Sequence, residues 1–450
     1  MLRRFATTSV AVATVLCALL LYLHTTTLQS RRNSDLWRSD QHSHIEFARK
    51  ATETRFAYTG DRNFMPLFAF LQAALNSPEL DDEAFFERGK QINIWLSIVA
   101  IACLGIIFYK KFSRLYTFYA ISTIGFLAFA FKAPFFQPEV LYYTLFSCAF
   151  ILSVETLFAP KWYKSVAVGA LFALAYYTKA SALPSIGIFS ASYAILLFAK
   201  SYHRQLNREK VAGIFFQALA PLVMFFVLLF PYFHESKIDY GKYFYNVNTS
   251  IYMWMDSWRE AKAVRAEIGG EAGFIHLPDD EIPSLQNYLR KHSVEQIFER
   301  LRNGSHAMIT SGCLSQSSMH FYGYCSQVAL GIIVFCVFLP VLLRRFRREK
   351  LRHLNIYCYI GLFFTVNALG AFWYTPISGP GPRIILALLI PFFWTLGLVL
   401  HSKAIQDLRL QLFGYQIKLP NLLLVFLCST LFYEIIQVAT WRAAEMYGGK

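Results

Sequence analysis

Residues 165–200 read SVAVGALFALAYYTKASALPSIGIFSASYAILLFAK, an apolar run with a charge, Lys179, near its middle and Lys200 at its end. A helix crossing a hydrocarbon core of ~30 Å needs about 20 apolar residues, so the run is long for one crossing and short for two. The loops downstream decide. Read as two short spans, 165 to 178 and 181 to 199, the run leaves Lys179 at a membrane surface, where its ammonium can reach the headgroups. Read as one span, it inverts every later loop and sends Arg344, Arg345, Arg347, Arg348, Lys350 and Arg352 to the side opposite the other basic loops. Positive charge collects on the inner side of membrane proteins, so the two-span reading is adopted.

Outward from this stretch, about eleven spans are expected: 5 to 28, 92 to 109, 116 to 131, 139 to 158, 165 to 178, 181 to 199, 211 to 233, 326 to 343, 354 to 373, 384 to 401 and 419 to 440. With the N-terminus inside, every short inner loop is basic: Lys110, Lys111 and Arg114; Lys161 and Lys164; Lys200, Arg204, Arg208 and Lys210; the 344–352 cluster; Lys403, Arg409 and Lys418. The fold class is an all-α polytopic membrane protein with interfacial helices in the first outer loop and a small outer-side domain. A 56% hydrophobic, 17% aromatic chain of 450 residues carries more apolar surface than a soluble domain could bury. No barrel-like alternation is present. The net charge of +15 resides largely in the inner loops, so it reports orientation, and no nucleic-acid partner is expected.

Three modules follow: a transmembrane module over 1–233, whose first outer loop is 29–91; an outer-side loop domain over 234–325; and a second transmembrane module over 326–450. The first span, after Arg3-Arg4, has no small-residue cleavage site before Thr25-Thr26-Thr27 and reads as a retained signal anchor. Segments around Glu46–Arg49 and Leu67–Leu71 have the pattern of helices lying along the interface, and one helix is expected over 285–301. The outer domain holds two sequons, Asn248-Thr249-Ser250 and Asn303-Gly304-Ser305. It also holds the two cysteines outside apolar runs, Cys313 and Cys325, which could be a disulfide or a free pair.

The candidate chemistry begins at Ser39-Asp40-Gln41-His42-Ser43-His44, just past the first span. Asp40 is a helix cap or loop acid on one reading, and a general base at the membrane edge on another. On an extended segment Asp40, His42 and His44 would face one way, as metal ligands do; on a helix only Asp40 and His44 share a face. Glu139 follows Gln137-Pro138 and opens a span, where an acid also suits the helix N-terminus. Lys179 and Arg383, the latter after Ser378-Gly379-Pro380-Gly381-Pro382, bring cations to outer span ends. Arginine is costly in lipid unless paired and binds phosphate through two N–H groups, so an anionic partner is expected. Arg62, in Gly60-Asp61-Arg62-Asn63, is a weaker candidate of the same kind. Asp40, Glu139, Lys179 and Arg383 all fall at outer ends of spans.

Taken together, Asp40, Met65-Pro66-Leu67 after Arg62, Gln137-Pro138-Glu139, Gly169 through Thr178-Lys179, and Arg383 followed by Leu386 to Pro391 resemble the GT-C superfamily of membrane glycosyltransferases. The similarity is to the branch of protein O-mannosyltransferases and aminoarabinose transferases. Family members commonly place a second acid where this chain has Gln41. The resemblance implies a polyprenyl- or dolichyl-phosphate sugar donor, with Asp40 as the catalytic carboxylate. Glu139 would bind sugar or acceptor, and Arg383, Lys179 and Arg62 would hold the donor phosphate. The acceptor would be a protein, a glycan or a lipid on the luminal or periplasmic face of an endoplasmic reticulum or bacterial plasma membrane. Tyr252, Trp254 and Trp258 would be stacking surfaces or membrane-buried rings. A lipid phosphate is already a good leaving group, so no cofactor is required. A divalent metal is compatible but unsupported, His42 and His44 being its alternative ligands. The alternative from another class is a secondary transporter of a small polar or anionic substrate, which would carry ionisable residues near the bilayer midplane and related halves.

Overall fold

The computed structural model describes residues 2–60, 62–202, 208–314, 322–348, 354–379, 384–412 and 415–439. Among them, eight helices are long and apolar enough to cross a membrane: Asp82–Lys111, Arg114–Lys132, Glu139–Phe158, Ala180–Ser201, Val211–Tyr240, Gly323–Arg344, Leu354–Ser378 and Leu419–Gln437. The architecture is that of an all-α polytopic membrane protein. The other three expected spans fall on a 31-residue N-terminal helix, a 17-residue helix and the shorter apolar helix Ile385–Leu400.

In chain order, α1 (Leu2–Arg32) leads into two short helices, α2 (Gln41–Glu53) and α3 (Pro66–Leu75). α4 (Asp82–Lys111) is followed by α5 (Arg114–Ile124), which continues through a π-helical turn, Gly125–Phe129, into α6 (Ala130–Lys132). α7 (Glu139–Phe158), α8 (Trp162–Thr178), α9 (Leu183–Tyr202) and α10 (Arg208–Tyr240) come next. The run 165–200 does break at Lys179. The residue is extended (φ −153°, ψ 127°), a 3₁₀ turn covers Ala180–Ala182, and Pro184 sits in the first turn of α9, where its missing N–H costs nothing. Ser165 bonds Gln217 near the start of α10, while the Tyr177 hydroxyl donates to the Leu228 carbonyl at 3.0 Å, so α8 and α10 run parallel. Their backbones approach closely because Gly169 lacks a side chain: a Cβ there would lie 2.2 Å from the Pro221 carbonyl oxygen.

The segment after α10 holds α11 (Val247–Ser250), α12 (Trp258–Glu267), α13 (Leu285–Lys291) and α14 (Val294–Ile309). The single helix expected over 285–301 is two helices. Ser293 starts the second with a capping box, its hydroxyl accepting from the Gln296 N–H and Gln296 reaching back to the Ser293 N–H. Cys313 and Cys325 form a disulfide between the end of this segment and α15 (Tyr322–Arg348). α16 (Leu354–Ser378), α17 (Leu389–Leu400), the four-residue α18 (Lys403–Gln406) and α19 (Leu419–Gln437) complete the bundle. The hairpin β1 (Arg409–Leu412)–β2 (Tyr415–Lys418) precedes α19.

Side-chain contacts sort the helix termini into two ends. At one, Lys111 Nζ lies 2.6 Å from Glu155 Oε1, and the Ser113 N–H donates to His401 Nε2 at 3.0 Å. At the other, Asn33 donates to the Pro134 carbonyl at 2.8 Å and Ser326 to Glu434 at 3.2 Å. Between them lies an aromatic core in which Trp394 meets Phe108 and Phe112 edge-on and the Tyr116 hydroxyl donates to the Phe393 carbonyl. A smaller apolar cluster of Ile45, Phe47, Phe68, Phe85, Phe86 and Phe136 seats α2 and α3 on the second end.

Candidate functional site

The acidic loop at the end of α1 is clamped to the loop that enters α7. Gln41, fully buried, is the hub. Its Oε1 accepts from Asn33 Nδ2 and from the Phe136 N–H, each at 2.9 Å, and its Nε2 donates to the Asp35 and Arg38 carbonyls, each at 3.1 Å. Ser39 adopts the left-handed backbone region (φ 61°) and its hydroxyl accepts from Gln137 Nε2 at 2.9 Å. Asp40 therefore sits between two residues that are each tied to the 135–138 turn. It occupies the N-cap position of α2 without a cap bond from its side chain, and it is half-buried.

Glu139, the first residue of α7, is completely buried and accepts from Lys179 Nζ at 2.9 Å. Lys179, at the C-cap of α8, keeps 24% of its side chain exposed. Three residues on from Glu139 and two on from Lys179, the hydroxyls of Tyr142 and Ser181 are 3.0 Å apart, and Lys179 Nζ stands 5.8 Å from the Tyr142 ring centroid. Two residues from distant stretches, both singled out from sequence, are thus one ion pair joining α7 to the α8–α9 turn.

Arg62 lies deeper than a phosphate contact requires. Its side chain is fully buried, with Nη2 3.6 Å from Glu235 Oε2 and 3.8 Å from Asp239 Oδ2, and its Cζ 4.0 Å from the Tyr232 ring centroid. Its carbonyl accepts from the Val247 N–H at 3.0 Å and from Asn246 Nδ2 at 2.9 Å, and its φ of 65° marks a constrained turn. The cation expected at the donor phosphate instead faces two carboxylates and ties the first long loop to α10 and α11. It remains close to the Lys179 region, because Tyr232 also packs edge-on against Tyr177 at 5.7 Å. Arg383 lies outside the described residues.

The two histidines part company on the helix, as a two-residue spacing requires. His42 stacks on Trp37 with centroids 3.6 Å apart and lies 3.8 Å from Glu46, whereas His44 is buried between Phe64 and Phe68. Among the described residues, no group of three or more His, Cys, Asp and Glu side chains has the arrangement of a metal site.

Several residues of this end were not singled out as chemistry-bearing. Lys90, fully buried on α4, donates to the Ser30 and Asn33 carbonyls at 2.9 and 2.6 Å and to Glu87 at 2.7 Å, so it satisfies carbonyls left open at the end of α1. Asn33, Gln41 and Gln137 form the clamp. Their signal was a cluster of amide side chains beside apolar spans, where unpaired amides are costly.

In the second long segment Tyr252 packs against Trp258 and Phe274, and burial, with Glu271 adding to it, pushes its phenol up to about 12. Trp254 faces Trp373 and Tyr288. Arg300, nearly buried, donates to the Trp373 and Met253 carbonyls at 3.1 and 3.2 Å and stands 3.4 Å from Asp256. These rings thus hold the segment onto α16.

No protein-family model matches the chain, and no curated protein matches it.

Proposed function

We propose that the protein is a GT-C-like glycosyltransferase that moves a sugar from a polyprenyl- or dolichyl-phosphate donor to a hydroxyl acceptor, with Asp40 as base. The observation that carries the reading is the clamp of Ser39 and Gln41 onto Phe136 and Gln137. It holds Asp40, at the start of α2, beside the stretch of chain leading to Glu139 and Lys179.

In the proposed reaction the acceptor oxygen attacks the anomeric carbon and the bond from that carbon to the phosphate oxygen breaks. The phosphate leaves with the bonding electrons, and the acceptor proton passes to Asp40, so the product has inverted configuration. Lys179, held by Glu139 and a quarter exposed, brings a positive charge to the departing phosphate. Glu139 orients Lys179 and, through it, the donor. Arg383 is a second phosphate ligand in this scheme, while Arg62 braces the loop. With cations from the chain at the phosphate, no divalent metal is needed.

An eleven-span reading, with Lys110, Lys111, Lys161, Lys164 and Lys200 at the opposite end, favours the luminal or periplasmic face for this end. The Cys313–Cys325 disulfide supports that side, since disulfides persist in oxidising compartments. The test is reconstitution in liposomes with a panel of radiolabelled polyprenyl-phosphate sugars. The proposal expects consumption of one of them with inversion, and release of polyprenyl phosphate matching label transfer. Failure to consume any lipid-phosphate sugar, with label taken instead from a nucleotide sugar, overturns it.

A further inference from the structure

A cavity of about 440 Å³ opens at the end of the bundle opposite Glu139. The last turn of α7, the second half of α9, the first turns of α10 and the start of α16 enclose it. Its wall is divided by chemistry. Leu157, Phe158, Leu196 and Ile214 make one part apolar, and Lys200, Gln217, Asn355 and Tyr193 supply polar groups.

Two of these polar side chains, Asn355 (4% exposed) and Tyr193 (3%), are more than nine-tenths buried, and the buried Tyr193 hydroxyl has no partner among the described residues. A buried hydroxyl without a partner costs about 1–3 kcal/mol, so its place in this wall points to a ligand that pairs it. Lys200 makes no ion pair among the described residues, whereas Lys111 at the same end has Glu155. The Gln217 carbonyl is already taken by Ser165, leaving its amide N–H groups as donors. The set is therefore rich in donors with one positive charge, which suits an anionic oxygen cluster.

The rim identifies the source. Phe198, Phe215, Phe216 and Leu219 are large, apolar and exposed on the outer faces of α9 and α10, and a Cβ at Gly213 would meet nothing within 4 Å. Gly213 in the cavity wall and these exposed rings set the cavity beside the outer faces of α9 and α10, near the basic residues that end the spans. We propose that it holds the phosphate and first acyl carbons of an anionic glycerophospholipid drawn from the adjacent leaflet, with Lys200 on the phosphate and Asn355 and Gln217 on its oxygens. A volume of this size accommodates a headgroup and the upper chain, the remainder lying along the exposed faces.

The experiment uses the full-length protein, delipidated in detergent, with phosphatidylglycerol, phosphatidylcholine or inorganic phosphate added separately; bound lipid is counted by native mass spectrometry and stability is read by thermal unfolding. Wild type is expected to retain phosphatidylglycerol in preference to phosphatidylcholine, with a rise in midpoint that phosphate alone does not produce. Lys200→Ala is expected to weaken retention by about tenfold or more, the scale of a lost charge-assisted hydrogen bond. Gly213→Leu adds a side chain to the cavity wall at a position with room for its Cβ and is expected to abolish retention while the protein stays folded; Lys161→Ala, exposed at the same end, is expected to leave it unchanged. Equal retention of both lipids, full stabilisation by phosphate alone, or wild-type retention in both Lys200→Ala and Gly213→Leu overturns the proposal.

Discussion

The Glu139–Lys179 pair makes an asymmetric prediction, because its two partners differ in burial. At 2.9 Å and an effective dielectric constant of about 20, the gross attraction is about 6 kcal/mol, much of it cancelled by desolvation of Glu139. Lys179→Met leaves a fully buried carboxylate with its cation gone, and the expected loss is about 3–5 kcal/mol. Glu139→Gln leaves a lysine that is already a quarter exposed and free to turn its ammonium toward the headgroups, so the loss is smaller, about 1–3 kcal/mol. The double variant Glu139→Gln/Lys179→Met removes both charges and is expected to be more stable than Lys179→Met alone. Unfolding in mixed micelles with increasing SDS, followed by circular dichroism on all four proteins, supplies the cycle. Simple additivity, or a double variant weaker than Lys179→Met, would refute the argument that this pair joins α7 to the α8–α9 turn.

Three further outcomes follow from the same physics. Gln41→Glu keeps the acceptor for Asn33 and Phe136 but removes both donors to the Asp35 and Arg38 carbonyls, so unfolding at neutral pH should come earlier, by about 2–4 kcal/mol, and the second acid should not raise activity. Gly169→Ala drives a Cβ into the Pro221 carbonyl oxygen, and a loss of about 1–3 kcal/mol is expected in the same assay; a neutral result would mean that α8 and α10 separate easily. In a glycosylating host, Asn303→Gln should remove a mobility shift that Asn248→Gln leaves intact. Asn303 is exposed, whereas the Asn248 amide donates to Asn63 at 2.7 and 2.8 Å and its carbonyl accepts from Tyr374 at 2.8 Å.

The helical breaks were legible where a charge or a proline interrupts an apolar run. Lys179 divided 165–200 where the helices break, because a short span with a charge at its end agrees with the charges of every later loop. Ser293 and Gln296 carried a capping box that splits 285–301, yet the surrounding amphipathic pattern favoured one longer helix. Burial of single charges was not legible. Arg62 looks like a loop cation because its carboxylates, Glu235 and Asp239, lie on α10, far along the chain, and only folding brings them within 4 Å. The pairing of Glu139 with Lys179 was half legible: span counting put both at one membrane face, but no spacing rule connects residues forty positions apart. Gln41 stands where the resemblance leads one to expect an acid, while its hydrogen bonds, accepted at Oε1 and donated from Nε2, show that an amide is what this turn requires.

The central claim is that the Asp40 carboxylate accepts the acceptor proton during sugar transfer. Its most direct test is the initial rate of transfer from a polyprenyl-phosphate sugar by Asp40→Asn and wild type, reconstituted at equal density and matched for thermal midpoint. Loss of a general base predicts a rate lower by about 10²–10⁴-fold at matched thermal midpoint. Wild-type turnover in Asp40→Asn would contradict the account.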